Sequence, residues 1–291
     1  MTVQPRFALN HMTAPRFEVG EFFSLARSLG LNEVEIRNDL AGNAILDGTA
    51  PAAMHELARN AGVTIISINA LQRFNEWTPE REREANELAD YAKAGGAKAL
   101  VLVPVNDGSG RANGERQGNL RVALKALKTI LSSRGITGLV EPLGFEICSL
   151  RSKQEAAEAI RAVDGAESFR LVHDTFHHCL GGQPALFPEM TGLVHISGVT
   201  DAAVSVADVR DPHRVLVDRD DRLGNIAPDS RFARRRLRRT VLVRTFRVVG
   251  SCAPVGRRGD RRKHAIHHGR SRPRNADFDA SFGLTRFARI E

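Results

Sequence analysis

Short runs of β-branched and aliphatic residues recur through the first two thirds of the chain, and helical patterns separate them. Strands that alternate with helices at intervals of roughly 30 residues are typical of a parallel sheet, either closed into a barrel or open and doubly wound. The repeat therefore restricts this part of the chain to an α/β fold. The candidate strands are Arg6–Asn10, Val34–Arg37, Val63–Asn69, Lys98–Val103, Leu139–Glu141, Phe169–Asp174 and Leu193–His195.

The helical segments begin and end at residues with known capping preferences. In the third helix, Thr78 is an N-cap, Pro79 takes the first helical position, and Gly95 and Gly96 follow the last turn. Threonine and proline favour the start of a helix, and glycine favours its end. These signals predict where the helices start and stop.

Three candidate strands end in a residue that can bind a metal ion. Glu141 and Asp174 end the fifth and sixth strands, and His195 ends the seventh. Because active sites of parallel barrels lie at the carboxyl ends of the strands, we expect these side chains to converge. Carboxylates with an imidazole suit Mn²⁺, Mg²⁺, Zn²⁺ or Co²⁺, so the sequence predicts one divalent metal site.

Each of these residues also has an ordinary structural interpretation. A single glutamate after a strand is usually a solvated loop carboxylate, and a single histidine is more often a hydrogen-bonded core residue than a ligand. Their occurrence on three consecutive strands, with His177 three residues after Asp174, favours the metal site. His173 should point away from Asp174, because side chains alternate along a strand. Trp77 follows the third strand and is a candidate for the substrate pocket.

The composition of the chain changes near residue 227. Residues 231–291 contain 17 Arg and one Lys against four acidic residues, a net charge of +14, whereas residues 1–230 carry −6. Apolar periodicity disappears there, and the strand candidate Thr240–Arg244 has no acidic residue at its end. We therefore predict a barrel over residues 1–227 and an Arg-rich segment of low order over residues 228–291.

The Arg-rich segment stands where the eighth βα unit of a barrel belongs, so we expect that unit to be lost or replaced. A barrel left unclosed would expose strand edges and tend to aggregate. Three interpretations apply to the segment: an arm that binds nucleic-acid phosphates, a solvated extension, or out-of-frame translation after a frameshift near residues 227–240. The lack of interleaved aromatic residues argues against a nucleic-acid arm. We favour the frameshift, because a segment rich in Arg, Gly, Ser and Pro and without periodicity is typical of GC-rich DNA translated in the wrong frame.

Three stretches give the chain a resemblance to a known family. They are Glu141–Glu146, His173–His178 and His213–Asn225. They resemble the xylose isomerase-like barrels of the sugar isomerase and epimerase group, and within it the bacterial inosose (2-keto-myo-inositol) isomerases. The resemblance covers about residues 6–226. It implies a TIM (β/α)₈-type barrel and an isomerase of inositol catabolism that converts a keto-polyol through an enediolate.

The resemblance also implies a ligand set and catalytic roles. In that family two glutamates, an aspartate and a histidine hold one divalent metal, with Mn²⁺ as the expected ion here. Glu141, Asp174 and His195 match three ligands, and no segment after residue 200 matches the fourth, a glutamate of the eighth strand. Glu141 is then also a catalytic base. His177 is catalytic as the proton or hydroxyl partner of the substrate, and Glu146 is a substrate-binding candidate.

Other functions remain open at this point. Ketose 3-epimerases and hydroxypyruvate isomerases belong to the same group. An AP-endonuclease-like metal hydrolase would require more strand-end histidines, and a non-catalytic nucleic-acid binder would act through the basic tail. The expected partner is a small keto-polyol or sugar, with no membrane and no nucleic acid, and a homo-oligomer is left open. Three cysteines without paired spacing, and no apolar run long enough to span a membrane, predict a cytoplasmic protein.

Overall fold

The computed structural model describes residues 6–40, 45, 48–225 and the backbone of 240–243. The chain divides into two compact units, Met1–Arg247 and Val248–Glu291, and all the described residues belong to the first unit. Apart from residues 240–243, the Arg-rich segment lies outside the described residues. The low order and the frameshift that we predict for this segment therefore concern residues outside the described part of the chain.

Eight parallel strands close into a barrel in the order in which they occur in the chain. This arrangement confirms the predicted TIM-type α/β barrel. The strands are β1 (Arg6–Asn10), β2 (Glu33–Arg37), β3 (Thr64–Gln72), β4 (Ala99–Val103), β5 (Thr137–Val140), β6 (Phe169–Asp174), β7 (Thr191–Ile196) and β8 (Thr240–Val243).

The strand that closes the barrel comes from the Arg-rich segment. Thr240–Val243 pairs with Leu193–Ile196 of β7 on one side and with Arg6–Leu9 of β1 on the other. The eighth strand is therefore replaced by part of the Arg-rich segment, which is one of the two outcomes that we expected. The barrel is closed and extends past residue 227. A short apolar run can close the ladder because the pairing uses the backbone N–H and C=O groups that β1 and β7 would otherwise leave unpaired.

Each of the first six strands is followed by a helix. The predicted N-cap of the third helix is present, because the Thr78 hydroxyl accepts from the N–H of Arg81. Gly62 ends the second helix in a left-handed conformation with φ 70°. No helix within the described ranges is long and apolar enough to cross a membrane. The helices are α1 (Val19–Ser28), α2 (Pro51–Ala61), α3 (Pro79–Ala94), α4 (Glu115–Ser132), α5 (Lys153–Ala162) and α6 (Thr175–Gly181).

Apolar side chains pack on both faces of the barrel wall. Inside the barrel, a small core is formed by Ala8, Ala70, Ala99, Val101, Leu139, Val172 and Leu193. A larger core between the strands and the helices includes Phe22, Phe23, Leu124, Leu127, Ile160 and Phe169. Nearer the carboxyl ends of the strands the buried residues become polar, and that change locates the candidate site.

Candidate metal centre

Three predicted ligands lie together at the carboxyl end of the barrel. Glu141 is the first residue after β5, Asp174 is the last residue of β6, and His195 lies near the end of β7. These strands are neighbours, and Asp174 and His195 are register partners. All three residues are at most 2% exposed, so their polar groups must find partners within the protein.

A possible ligand group joins Glu141 and Asp174 to His177. One candidate ligand atom from each of the three lies within 4.8 Å of the others. Burial lowers the pKa of His177 to about 4, so the ring is neutral at physiological pH. Its Nδ1 is buried and has no hydrogen-bond partner among the described residues. A neutral imidazole is the form that binds metal ions.

Helix α6 brings His177 to this position. Asp174 is the N-cap of α6, and its Oδ1 accepts hydrogen bonds from the backbone N–H groups of Phe176 (2.8 Å) and His177 (3.2 Å). An aspartate at an N-cap satisfies N–H groups that have no partner within the helix. The strand end and the first helical turn therefore share one carboxylate, which explains the close spacing of the two site residues.

His195 contacts both carboxylates. Its Nδ1 lies 2.8 Å from Oε1 of Glu141 and 3.8 Å from Oδ2 of Asp174. Burial alone would lower the pKa of His195, but the charges of Glu35 and Glu141 and the hydrogen bond to Glu141 outweigh it and raise the pKa to about 9. The ring is therefore an imidazolium between carboxylates in the metal-free protein. Its role as a ligand stays a prediction.

Arg214 is a residue of the site that we did not predict. It is fully buried, and its Nη2 donates to Oδ2 of Asp174 at 2.6 Å. Its Nε donates to the Ser197 hydroxyl at 2.9 Å, and the guanidinium lies 4.5 Å from the ring centre of Phe176. Arg214 belongs to the His213–Asn225 stretch that carries the family resemblance, but no periodic pattern marks a buried arginine in a loop.

Glu35 is a second unpredicted residue. It lies on β2, is 0% exposed, and its Oε2 is 3.4 Å from Nε2 of His195. Its neighbours Val34 and Ile36 are core residues. In the sequence it is one of two glutamates in a short strand, with no motif around it, so only the barrel geometry reveals its position.

The other predicted site residues lie further out. Glu146 is exposed in the turn after β5, where its backbone carbonyl accepts from Nη1 of Arg111. Trp77 is half-buried and packs against the core outside the barrel. Within the described ranges neither hydrogen-bonds to the metal ligands, and their roles stay predictions. His173 points away from the site as predicted, with its ring centroid 4.7 Å from that of His178.

These donors fit a divalent cation. Two buried carboxylates with neutral His177 and with His195 are the mixed oxygen and nitrogen set that Mn²⁺, Zn²⁺ and Co²⁺ accept. The sequence of β8 contains no carboxylate, and its side chains lie outside the described part of the chain. Fold and site together define a class of protein: a parallel (β/α)₈ barrel with a candidate metal centre at the carboxyl ends of its strands.

The chain belongs to the xylose isomerase-like TIM barrel family, whose sequence model matches residues 23–240. A xylose isomerase domain-containing protein from Salmonella typhimurium is 32% identical over 84% of this chain and 90% of its own, with a TM-score of 0.75. These two matches confirm the family that the sequence resembles. No curated protein matches the chain significantly.

Two more distant structures share the fold. The IolI protein, solved with a zinc atom, is 20% identical over 83% of this chain and 89% of its own, with a TM-score of 0.71. A D-psicose 3-epimerase, solved in the presence of D-fructose, is 12% identical over 85% of this chain and 87% of its own, with a TM-score of 0.58. At these identities the likeness shows the fold alone.

Proposed function

We propose that this chain is a metal-dependent isomerase or epimerase that moves a proton between neighbouring carbons of a keto-polyol or sugar. The most specific candidate substrate is inosose (2-keto-myo-inositol). The observation that carries the proposal is the buried group of Glu141, Asp174 and His177, with His195 in contact with both carboxylates. Proton transfer beside a carbonyl requires a base and stabilisation of the enediolate oxygen, and this group offers both.

The residues divide these tasks between them. Glu141 is the base that removes the proton from the carbon beside the carbonyl, and its Oε1 lies 2.8 Å from Nδ1 of His195. His177, which is neutral, contacts the substrate hydroxyl and passes its proton. Glu141, Asp174 and His195 would hold the cation, with His177 close enough to join them. A bound divalent cation supplies Lewis-acid stabilisation of the negative oxygen.

The known relatives support this assignment. The IolI structure holds zinc and the epimerase structure was solved with a ketose, so related barrels bind a metal and a keto-sugar. Both proteins are below 25% identity to this chain, so metal identity and substrate come here as part of the proposal. Mn²⁺ is our expected ion, and Zn²⁺, Co²⁺ and Mg²⁺ are the alternatives to compare.

The direct test is solvent deuterium exchange. The metal-free protein is loaded with Mn²⁺, Zn²⁺, Co²⁺ or Mg²⁺ and incubated with 2-keto-myo-inositol in D₂O. Proton NMR should show deuterium entering at the carbon next to the ketone, together with the isomeric inosose. Glu141→Gln should lower the rate by a factor of roughly 10²–10⁴, the usual contribution of a general base. Glu158→Gln, which changes the same group at an exposed position of α5, is the matched control.

The same assay separates the neighbouring activities. D-Psicose, D-fructose and hydroxypyruvate replace the inosose in parallel reactions, and the fastest exchange identifies the substrate class. Cleavage of DNA that contains an abasic site tests the hydrolase alternative. The proposal would be overturned if none of these substrates showed deuterium exchange with any of the four metals.

A further inference from the structure

Glu35 is held in place by side chains from the two strands that flank β2, which are β1 and β3. The hydroxyl of Ser67 donates to its Oε2 at 2.6 Å, and Nδ2 of Asn69 donates to its Oε1 at 3.2 Å. Nδ2 of Asn10 also donates to Oε1. Both oxygens of Glu35 therefore accept hydrogen bonds, and the positively charged ring of His195 lies beside them. A carboxylate can be buried in its charged form when it has such partners.

The carboxylate of Glu35 faces the edge of His195 that points away from the candidate metal centre. Oε2 is 3.4 Å from Nε2 of His195, which is long for a hydrogen bond and within ion-pair distance. At the opposite edge, Nδ1 is 2.8 Å from Glu141 and 3.8 Å from Asp174. The imidazole therefore lies between Glu35 on one side and the two carboxylate ligands on the other.

We propose that Glu35 is a positioning residue for the metal centre: it keeps the proton of His195 on Nε2, so that Nδ1 directs its lone pair at the cation. The proposal rests on the metal centre assigned under the proposed function, and it concerns metal binding rather than turnover. An imidazole that binds a metal through one nitrogen carries its proton on the other. The group that accepts that proton fixes both the tautomer and the ring orientation.

A glutamine at position 35 would reverse the chemistry at this contact. The amide oxygen can still accept from Asn10 and Asn69, and that leaves the NH₂ group facing Ser67 and Nε2 of His195. An NH₂ group donates, so it favours a lone pair on Nε2 and a proton on Nδ1, which blocks the metal-binding nitrogen. Glu35→Gln is therefore nearly identical in shape and opposite in its effect on the tautomer.

The experiment measures metal binding directly. The affinity of the full-length protein for Zn²⁺ and Co²⁺ is determined by competition with a chromogenic chelator. Glu35→Gln should bind each ion about 10–100-fold more weakly, the usual effect of losing such a partner. In the Co²⁺-loaded wild-type protein, the exchangeable Nε2–H of His195 should give a hyperfine-shifted proton NMR signal that exchanges slowly with solvent. In Glu35→Gln the signal should be lost or exchange rapidly.

Two further variants separate positioning from general destabilisation. Ser67→Ala removes one support of Glu35 but leaves the carboxylate facing His195, so the NMR signal should persist. Leu127→Ala weakens the core between the barrel and α4, away from the site, and should leave both the affinity and the signal unchanged. An equal loss of affinity in Leu127→Ala and Glu35→Gln would show a structural effect and overturn the proposal.

The remaining outcomes distinguish this proposal from the proposed function. Unchanged affinity and an unchanged signal in Glu35→Gln overturn the role of Glu35, whether or not the enzyme is active. Weakened binding in Glu35→Gln, together with no isomerisation by the wild-type protein, supports the role of Glu35 and overturns the proposed function. A wild-type protein that binds none of Mn²⁺, Mg²⁺, Zn²⁺ and Co²⁺ overturns both.

Discussion

Opposite charges lie side by side among the residues buried at the mouth of the barrel. Arg214 is paired with Asp174, and His195 lies between Glu35 and Glu141. Taking such groups out of water is unfavourable unless each finds a partner. Each charge therefore offsets the burial cost of its partner when no metal is bound, and a cation that enters must compete with these pairs.

Arg214→Met tests this competition. Removing one partner of a buried ion pair typically costs about 3–5 kcal/mol, because it leaves the other charge unpaired. A divalent cation can take the place of the lost charge at Asp174. We therefore expect a large fall in Tm in EDTA, a smaller fall in excess Zn²⁺, and tighter Zn²⁺ binding than in the wild-type protein.

The control for Arg214→Met is Arg210→Met. The guanidinium of Arg210 is exposed and donates to the backbone carbonyls of Ala207 and Val209, away from the carboxylate ligands. Its replacement should change Tm little, and equally in the two conditions. A fall in Tm for Arg214→Met that is the same with and without metal would contradict the competition.

Lys153 gives the folded protein a pH-dependent stability. It is 5% exposed, and burial lowers its pKa from the ordinary 10.5 to about 8. Between those values the unfolded chain holds a proton that the folded chain has released, so stability rises with pH through this window. Below pH 8 both states are protonated and the contribution is constant. The free energy of unfolding rises by about 3 kcal/mol at most across this window.

Urea unfolding at a series of pH values measures the contribution of Lys153. From pH 7.5 to 10.5 the wild-type protein should gain stability relative to Lys153→Met, in which the titrating group is absent. Lys125→Met, at an exposed position of α4, should follow the wild-type curve. If the free energy of unfolding changed with pH in the same way in the wild-type protein and in Lys153→Met, the pKa of Lys153 would have its ordinary value in the folded protein.

At the scale of elements, most of the barrel could be predicted. Seven strands and the first five helices carry apolar periodicity and end at capping residues such as Thr78 and Gly62, which are local signals. Helix α6 gave no such signal, because it has only seven residues and includes two adjacent histidines. Its position depends on the cap at Asp174, which could be recognised only once that strand end was placed in the barrel.

The loop after β5 packs closely against α6, and Gly144 makes this contact. A Cβ at this position would lie 2.3 Å from the backbone oxygen of His177 and 2.6 Å from Cβ of Leu180. Neither atom belongs to a flexible side-chain end, so Gly144→Ala must move the loop or the helix. We expect a loss of about 1–3 kcal/mol in the free energy of unfolding and weaker Zn²⁺ binding, because His177 is displaced.

The matched control for Gly144→Ala is Gly20→Ala in α1. A Cβ at Gly20 would meet nothing within 4 Å, and alanine is the better helix former. The free energy of unfolding of this variant should therefore rise by up to about 1 kcal/mol, and its affinity for Zn²⁺ should equal that of the wild-type protein. Normal stability and normal Zn²⁺ binding in Gly144→Ala would show that the close packing of loop and helix is dispensable.

For the whole molecule, the sequence did not settle how the barrel closes. Thr240–Val243 is a weak strand signal between arginines, and its pairing with β1 joins residues more than 200 positions apart. Long-range contacts of this kind leave no local pattern. The same reason explains why the Glu35–His195 and Arg214–Asp174 contacts went unpredicted, whereas Glu141, Asp174 and His195 were marked by their places at strand ends.

Truncation tests the contribution of β8. A chain that ends at Asn225 lacks the closing strand and should expose the edges of β1 and β7, which favours association between copies. A chain that ends at Arg247, the boundary of the first compact unit, keeps β8 and should remain soluble. Size-exclusion chromatography and urea unfolding compare the two. Equal solubility and stability would show that β8 adds little to the barrel.

Asp174 gives its two oxygens separate tasks. Oδ1 accepts the capping hydrogen bonds of α6, and Oδ2 faces Arg214. The capping hydrogen bonds fix the rotamer of this side chain. An unrestrained carboxylate would lose conformational entropy on binding a cation, at a cost of about 0.5–1.5 kcal/mol. For Asp174 that entropy is already lost when the protein folds. Release of a bound cation is then coupled to the helix. Unwinding of the first turn of α6 frees the carboxylate to rotate, so the rate of metal exchange should follow the rate of that opening.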